Sequence, residues 1–290
     1  MKITHAPAPS ASLLPLQQHP AYARALRAGG RCVEELCLTS GTASGSALAL
    51  RRSFAGFPVS LVSRGPILDR GAEQADAIGS VRGHLRGAVI FSPDHPPAMR
   101  GLVPLMTAAH VAEWRLHSNA ADLRAALRVK WRNRLTRAEA EDTEVRVSPM
   151  PADPSHWLFA REAALRRRRK YRALPAWLAV AYAATSPDLA WLFEARKNGE
   201  TVAGMLFLRH GGAATYHMGW SGDEGRRVSA HTLLLWRAAT FFAQRGVERI
   251  DLGTVDTESS PGLARFKLGT GAKLRPLGGT WLAPPWLQAC

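Results

Sequence analysis

The stretch PGLARFKLGTG, residues 261–271, carries Lys267 in a chain that has six lysines against 32 arginines. An ammonium on a flexible stem donates three hydrogen bonds and can follow an oxygen that turns negative as an acyl group is transferred, which a rigid guanidinium fork does less well. Phe266 stands beside it, and the strand RIDLG leads in through a loop rich in Thr, Ser and Asp. Asp251 and His231 are candidates for handling a proton or positioning a substrate, and His217 is the other histidine of the same hairpin-and-helix region. Tyr216 and Trp236 are candidate substrate contacts. A cation in the last turn of a short helix is also what the helix dipole favours, so the surroundings of Lys267 must choose between chemistry and capping.

No G-x-S-x-G elbow, phosphate-binding G-x-x-x-x-G-K-S/T loop, H-E-x-x-H or paired C-x-x-C is present. The sequence therefore signals neither a protein nucleophile nor a metal centre. Cys32, Cys37 and Cys290 are odd in number and lack ligand spacing, so reduced structural thiols are expected.

A formal charge of +15 favours polyanionic partners. Over residues 119–139, expected as one long helix, Leu123, Leu127, Trp131 and Leu135 make an apolar stripe. Arg124, Arg128 and Arg132 run beside it, with Lys130, Arg134 and Arg137 close by. Planar forks suit phosphate oxygens, which marks Arg124 and Arg128 as nucleic-acid or phosphate contacts and Lys130, Arg132 and Arg134 as substrate contacts. A solvated face, partly satisfied by Glu139, Glu141 and Asp142, is the alternative. The run RRRRK at 166–170 would extend the same surface. Arg226 and Arg227 in GDEGRRVSAH precede a helix whose first amides could receive a phosphate, although Gly225 is the one usable glycine near that helix start.

The elements that must hold these residues fall into two similar sets. EELCLTSGTASGSALALRRSFAGFPVSLVSRGPI has the alternation and turn residues of an antiparallel meander, followed by a helix over 69–86 and the strand GAVIFS. LAWLFEARKNGETVAGMLFLRHGGAATYHMGW is three strands around an Asn-Gly and a Gly-Gly turn. A helix ending at Gly246, the strand VERIDLG, a short helix opened by Pro261 and a final strand AKLRPLGGTWL follow. Two helices, the second opened by Pro175, lie between the sets, so the join is expected near 150–170, with domains 1–155 and 156–290. The first 20 residues lack a secretory leader and no 18-residue apolar run is present, so a cytoplasmic chain without a transmembrane segment is expected.

LRAALRVKWRNRLTRAEAED and AGMLFLRHGGAATYHMGWS…HTLLLWRAATFFAQRGVERIDLG…GLARFKLGTG resemble the Fem (FemAB-like) family of aminoacyl-tRNA-using peptidyl transferases, within the Gcn5-related N-acetyltransferase (GNAT) superfamily. The resemblance covers nearly the whole chain. It implies an α/β (α+β) fold of tandem GNAT-like domains, each a mixed, mostly antiparallel sheet with a splayed strand pair and flanking helices. It also implies acyl transfer onto an amine, with Lys267 stabilising the oxyanion and Phe266 lining the channel. The implied donor is aminoacyl-tRNA, with acetyl-CoA as the alternative, and the acceptor is an amine-bearing small molecule or peptide. No bound cofactor or metal is implied. The long coiled-coil arm of some Fem enzymes is missing. A non-catalytic RNA-binding protein on this scaffold is the rival from a different class.

Overall fold

A computed structural model describes residues 1–5, 13–40, 43–69, 73–95, 101–169, 171 and 173–285; Lys170 and Cys290 lie outside them. Contacts divide the chain into two compact units, one of Met1–His110 with Pro276–Cys290 and the other of Val111–Arg275.

The first unit contains β1 (Lys2–His5), α1 (Pro20–Ala28), β2 (Cys32–Ser40), β3 (Ala43–Phe54), β4 (Phe57–Ser63), β5 (Ile67–Leu68), α2 (Gln74–His84), β6 (Ala88–Ser92) and β7 (Val103–Met106). Its sheet runs β1-β2-β3-β4-β6, then the C-terminal strand Thr280–Ala283, then β7, with β5 paired to β3. Alternate residues such as Leu36 and Leu38 on β2 point into a core shared with Ala77, Ile78 and Val81 of α2. β4 and β6 are parallel and stay paired from Val59↔Ala88 to Ser63↔Ser92.

The second unit contains β8 (His110–Arg115), α3 (Ala120–Ala125), α4 (Val129–Ala140), β9 (Glu144–Pro149), α5 (Trp157–Arg169), α6 (Ala176–Thr185), β10 (Ala190–Lys197), β11 (Glu200–His210), β12 (Ala213–Ser221), α7 (Asp223–Arg227), α8 (Ala230–Ala243), β13 (Arg249–Val255), α9 (Pro261–Leu268) and β14 (Lys273–Pro276). The sheet order is β14-β8-β13-β12-β11-β10-β9. The β10–β11 turn is made by Asn198 at φ 52° and Gly199 at φ 80°, the left-handed pair that an Asn-Gly hairpin requires. Each sheet thus holds an edge strand, a three-stranded meander, a parallel fourth strand reached through a helix, and two closing strands.

β12 and β13 are parallel over Ala213↔Arg249, Ala214↔Ile250 and Thr215↔Asp251 only. Beyond these the two strands part. β12 also carries a bulge: Phe207 faces Tyr216 and Leu206 faces Met218, leaving His217 as the extra residue.

Three boundaries differ from the sequence-based expectation. The helix expected over 119–139 is two, because the Arg128 amide donates to the Gly269 carbonyl (3.0 Å) from extended backbone and α4 starts anew at Val129. Residues 111–155, expected in the N-terminal half, sit in the second unit, since β9 pairs with β10 and α4 packs on α8. The expected final strand is divided between the two sheets, with β14 and the C-terminal strand separated by Gly278 and Gly279. A side chain at Gly278 would meet the His95 carbonyl at 2.4 Å, and Gly279 sits at φ 78°.

Candidate active site

α9 begins at Pro261, whose fixed φ suits a first helical position, and turns Ala264 and Lys267 inward. Lys267 is only 6% exposed. Its Nζ donates to the Thr254 carbonyl at 2.7 Å, at the end of β13. Gly253, at φ 78°, bends the chain there, and a Cβ on it would lie 3.6 Å from Nζ. Asp251, also buried, accepts the Gly253 N–H at 2.7 Å. Burial pulls the Lys267 ammonium down to about 8 against the opposing pull of the Asp251 charge. A helix-capping lysine would reach into water, whereas this one is held in a low-dielectric place beside the carboxylate and the parted strands.

Phe266 is fixed from the other side. Its carbonyl accepts the Trp131 indole N–H at 3.1 Å, the two rings lie 6.3 Å apart, and Trp131 in turn packs edge-on against Trp114 at 6.3 Å. The two glycines that follow serve this packing: a Cβ at Gly269 would meet Trp131 at 2.5 Å, and one at Gly271, where φ is 87°, would meet the Ala126 carbonyl at 2.7 Å. His231 lies against Phe266, ring centres 6.4 Å apart, and donates to the Trp220 carbonyl at 3.0 Å. Burial lowers its pKa, which backbone hydrogen bonds to Trp220 and Gly204 oppose. Lys267, Phe266, Asp251 and His231 are therefore brought together. Trp131 joins them; the sequence offered it as one member of an apolar stripe and within the Lys-Trp-Arg-Asn stretch of the Fem resemblance, with no role at the site.

Other candidates lie elsewhere in the second unit or are already engaged. Trp236 is a core residue of α8, 7% exposed, with the Arg124 guanidinium 5.7 Å from its ring. Arg124 itself forks onto Glu139 at 2.8 and 2.6 Å and reaches Thr136 at 3.2 Å, so its charge is met within the protein. Arg226 donates to Asp223 and to the Ser221 carbonyl (2.6 Å), while Arg227 forks onto Glu224 at 2.9 and 2.7 Å. Gly225 serves packing, since a Cβ there would meet the Val202 carbonyl at 2.3 Å. Tyr216 packs on Phe207 at 5.6 Å, its phenol pKa raised by burial. The half-buried His217 has a buried Nε2 with no hydrogen-bond partner among the described residues, and burial pulls its pKa down to about 4. Arg128, Lys130 and Arg134 are exposed and Arg132 half-buried, all without side-chain partners among the described residues. Cys32 and Cys37 are free thiols.

Residues 105–268, more than half of the chain, match the family model described as an acetyltransferase (GNAT) domain. The chain belongs to this GNAT family. The match ends one residue past Lys267 and takes in every candidate catalytic residue named above. This GNAT protein is similar in structure to FemX, at 13% identity with a TM-score of 0.74 over 93% of this chain and 94% of the other. It is also similar to the C-terminal domain of a putative lysylphosphatidylglycerol synthetase from Agrobacterium fabrum (15% identity, TM-score 0.58, 93% and 89% covered). A tandem GNAT protein from the clavulanic acid biosynthesis pathway aligns at 13% identity and a TM-score of 0.52 over 88% and 83%. At such identities these likenesses establish a shared fold of tandem GNAT-like domains. No curated protein matches this GNAT sequence significantly. Among the described residues no helix is long and apolar enough to cross a membrane. The GNAT protein is thus an acyltransferase in fold and family.

Proposed function

We propose that this acyltransferase moves an aminoacyl group from aminoacyl-tRNA to the amine of a small-molecule or peptide acceptor. The observation that carries the reading is the buried Lys267 ammonium, held on the Thr254 carbonyl beside Asp251. The acceptor nitrogen attacks the ester carbonyl and forms the new C–N bond. Lys267 donates to the tetrahedral oxyanion as its charge develops, where a preorganised donor in a dry site is most effective. The C–O bond to the ribose then breaks, and the proton lost by the amine ends on the departing hydroxyl. Phe266 lines the channel, and Asp251 orients the ammonium.

The donor assignment draws on the Fem-family resemblance and on the charge. Arg128, Lys130, Arg132 and Arg134 offer uncompensated cations to a phosphate backbone. Charge reversal at Arg128, Lys130 and Arg134 is expected to weaken tRNA binding and to flatten its log–log salt dependence by about one unit per lost phosphate contact. Arg124→Ala, whose guanidinium is occupied by Glu139, leaves both unchanged. Filter binding across a salt series checks both.

Acyl-CoA is the second reading, favoured by the parted β12 and β13, whose free backbone groups could pair with an extended pantetheine arm. Against it, Asp223 and Glu224 fill the first turn of α7 and occupy the forks that a pyrophosphate would need. A donor screen with labelled aminoacyl-tRNAs and acetyl-CoA, followed by mass analysis of acceptors, decides. Transfer from charged tRNA supports the proposal; transfer from acetyl-CoA alone replaces the donor; RNA binding without transfer from either leaves the non-catalytic reading.

A further inference from the structure

β3 and β4 outrun their neighbours. β2 starts at Cys32, opposite Arg51, and β6 starts at Ala88, opposite Val59, so residues 52–58 form a two-stranded finger with no strand beside it. Every residue from 51 to 58 is exposed. The end of the finger is Phe54-Ala55-Gly56-Phe57-Pro58, which contains no polar side chain. Phe54 and Phe57 face each other across the turn at 77% and 74% exposure.

The turn itself favours this reading. Ala55 at φ 50° and Gly56 at φ 82° are both left-handed, the geometry in which asparagine is the preferred first residue. Alanine adopts it against its steric preference and leaves the tip free of hydrogen-bonding side chains. Positive charge is set back from the tip. Arg52, two residues behind Phe54 and so about 7 Å along the strand, is exposed with no side-chain partner among the described residues. The same holds for Arg86, next to Gly87, which presses so closely on Pro58 that a Cβ would meet its carbonyl at 2.1 Å. Arg51 adds a third guanidinium, shared with Glu34 at 3.2 Å.

We propose that this finger docks the protein on an anionic phospholipid bilayer. The phenyl rings enter at the boundary between headgroups and acyl chains, and Arg52 and Arg86 meet the phosphates. That boundary lies about 5–10 Å deep, which matches the setback of Arg52. The formal charge of +15 complements such a surface. A finger of this size cannot supply the roughly 800 Å² that a stable protein interface takes from each partner. A nucleic-acid platform sets phosphate-binding groups among its stacking rings, and this tip has none. The inference does not depend on the acyl-transfer reading.

The test is co-sedimentation of the full chain with phosphatidylcholine vesicles, with and without phosphatidylglycerol, alongside binding to single-stranded poly-uridine RNA. The wild type is expected on the phosphatidylglycerol vesicles. Phe54→Ser with Phe57→Ser is expected to weaken partition by about tenfold per ring. Arg52→Glu with Arg86→Glu should remove the preference for the anionic lipid. Thermal melting should not change in any variant, because the substituted side chains lie in water. Three results would overturn the proposal: no vesicle binding by the wild type, equal binding by the phenylalanine variant, or a loss confined to RNA.

Discussion

Lys267→Met is expected to lower kcat/KM by about two to three orders of magnitude, in the range seen when one oxyanion donor is removed, with donor affinity largely kept. Activity in the unaltered protein should fall as pH rises through about 8, where the ammonium loses its proton. The same substitution should stabilise the fold at neutral pH. An unfolded lysine holds its proton up to about 10.5, whereas the folded one releases it near 8. Between those values the unfolded chain binds more protons, so stability rises with pH across that window. Below it the buried charge costs on the order of 3 kcal/mol. Denaturant titrations at pH 7 and pH 10 should therefore show the variant more stable at pH 7 and the gap closing at pH 10. A variant with unaltered turnover and no stability gain would falsify the oxyanion role.

Trp131 is expected to carry the second largest effect. Its indole N–H holds the Phe266 carbonyl, and its ring fills the space kept open by Gly269. Trp131→Ala empties a buried site and should cost about 3–5 kcal/mol, read as a lower denaturation midpoint. Trp131→Phe keeps most of the volume and loses one hydrogen bond, worth about 1 kcal/mol. The phenylalanine variant should stay folded yet lose turnover, because α9 is no longer pinned where it aims Lys267. If Trp131→Phe keeps full kcat while Trp131→Ala merely melts earlier, the indole is a core residue and nothing more.

Local chemistry made much of this legible. The Asn-Gly turn at 198–199, the strand–turn–strand order of β10 to β12 and the Pro261 start of α9 are each decided by neighbouring residues, and each lies where the pattern put it. Partners distant in sequence were less legible: Glu139 was visible as a counter-charge to the arginine face, but not its pairing with Arg124 in particular. Arg124 and Glu139 would stand about 22 Å apart on one continuous helix, but the break at Arg128 folds α4 back and lets them pair at 2.6 Å. Their place before a helix offers Arg226 and Arg227 as phosphate ligands, and the structure pairs them with the carboxylates three residues earlier. β1, β7 and β9 are short edge strands, β7 exposed throughout, so they leave little hydrophobic alternation to read. The glycines around Phe266 and Lys267 were visible as a motif. Their purpose, room for an indole and a neighbouring carbonyl, exists only once α4 is in place.

The strand Thr280–Ala283 lies between β6 and β7. A ribosome delivers it after all of Val111–Arg275, so the earliest-made sheet is the last to be completed. The usual amino-to-carboxyl order of maturation during synthesis is thereby inverted. Any stall between residues 276 and 280 would leave β6 and β7 without the strand that joins them.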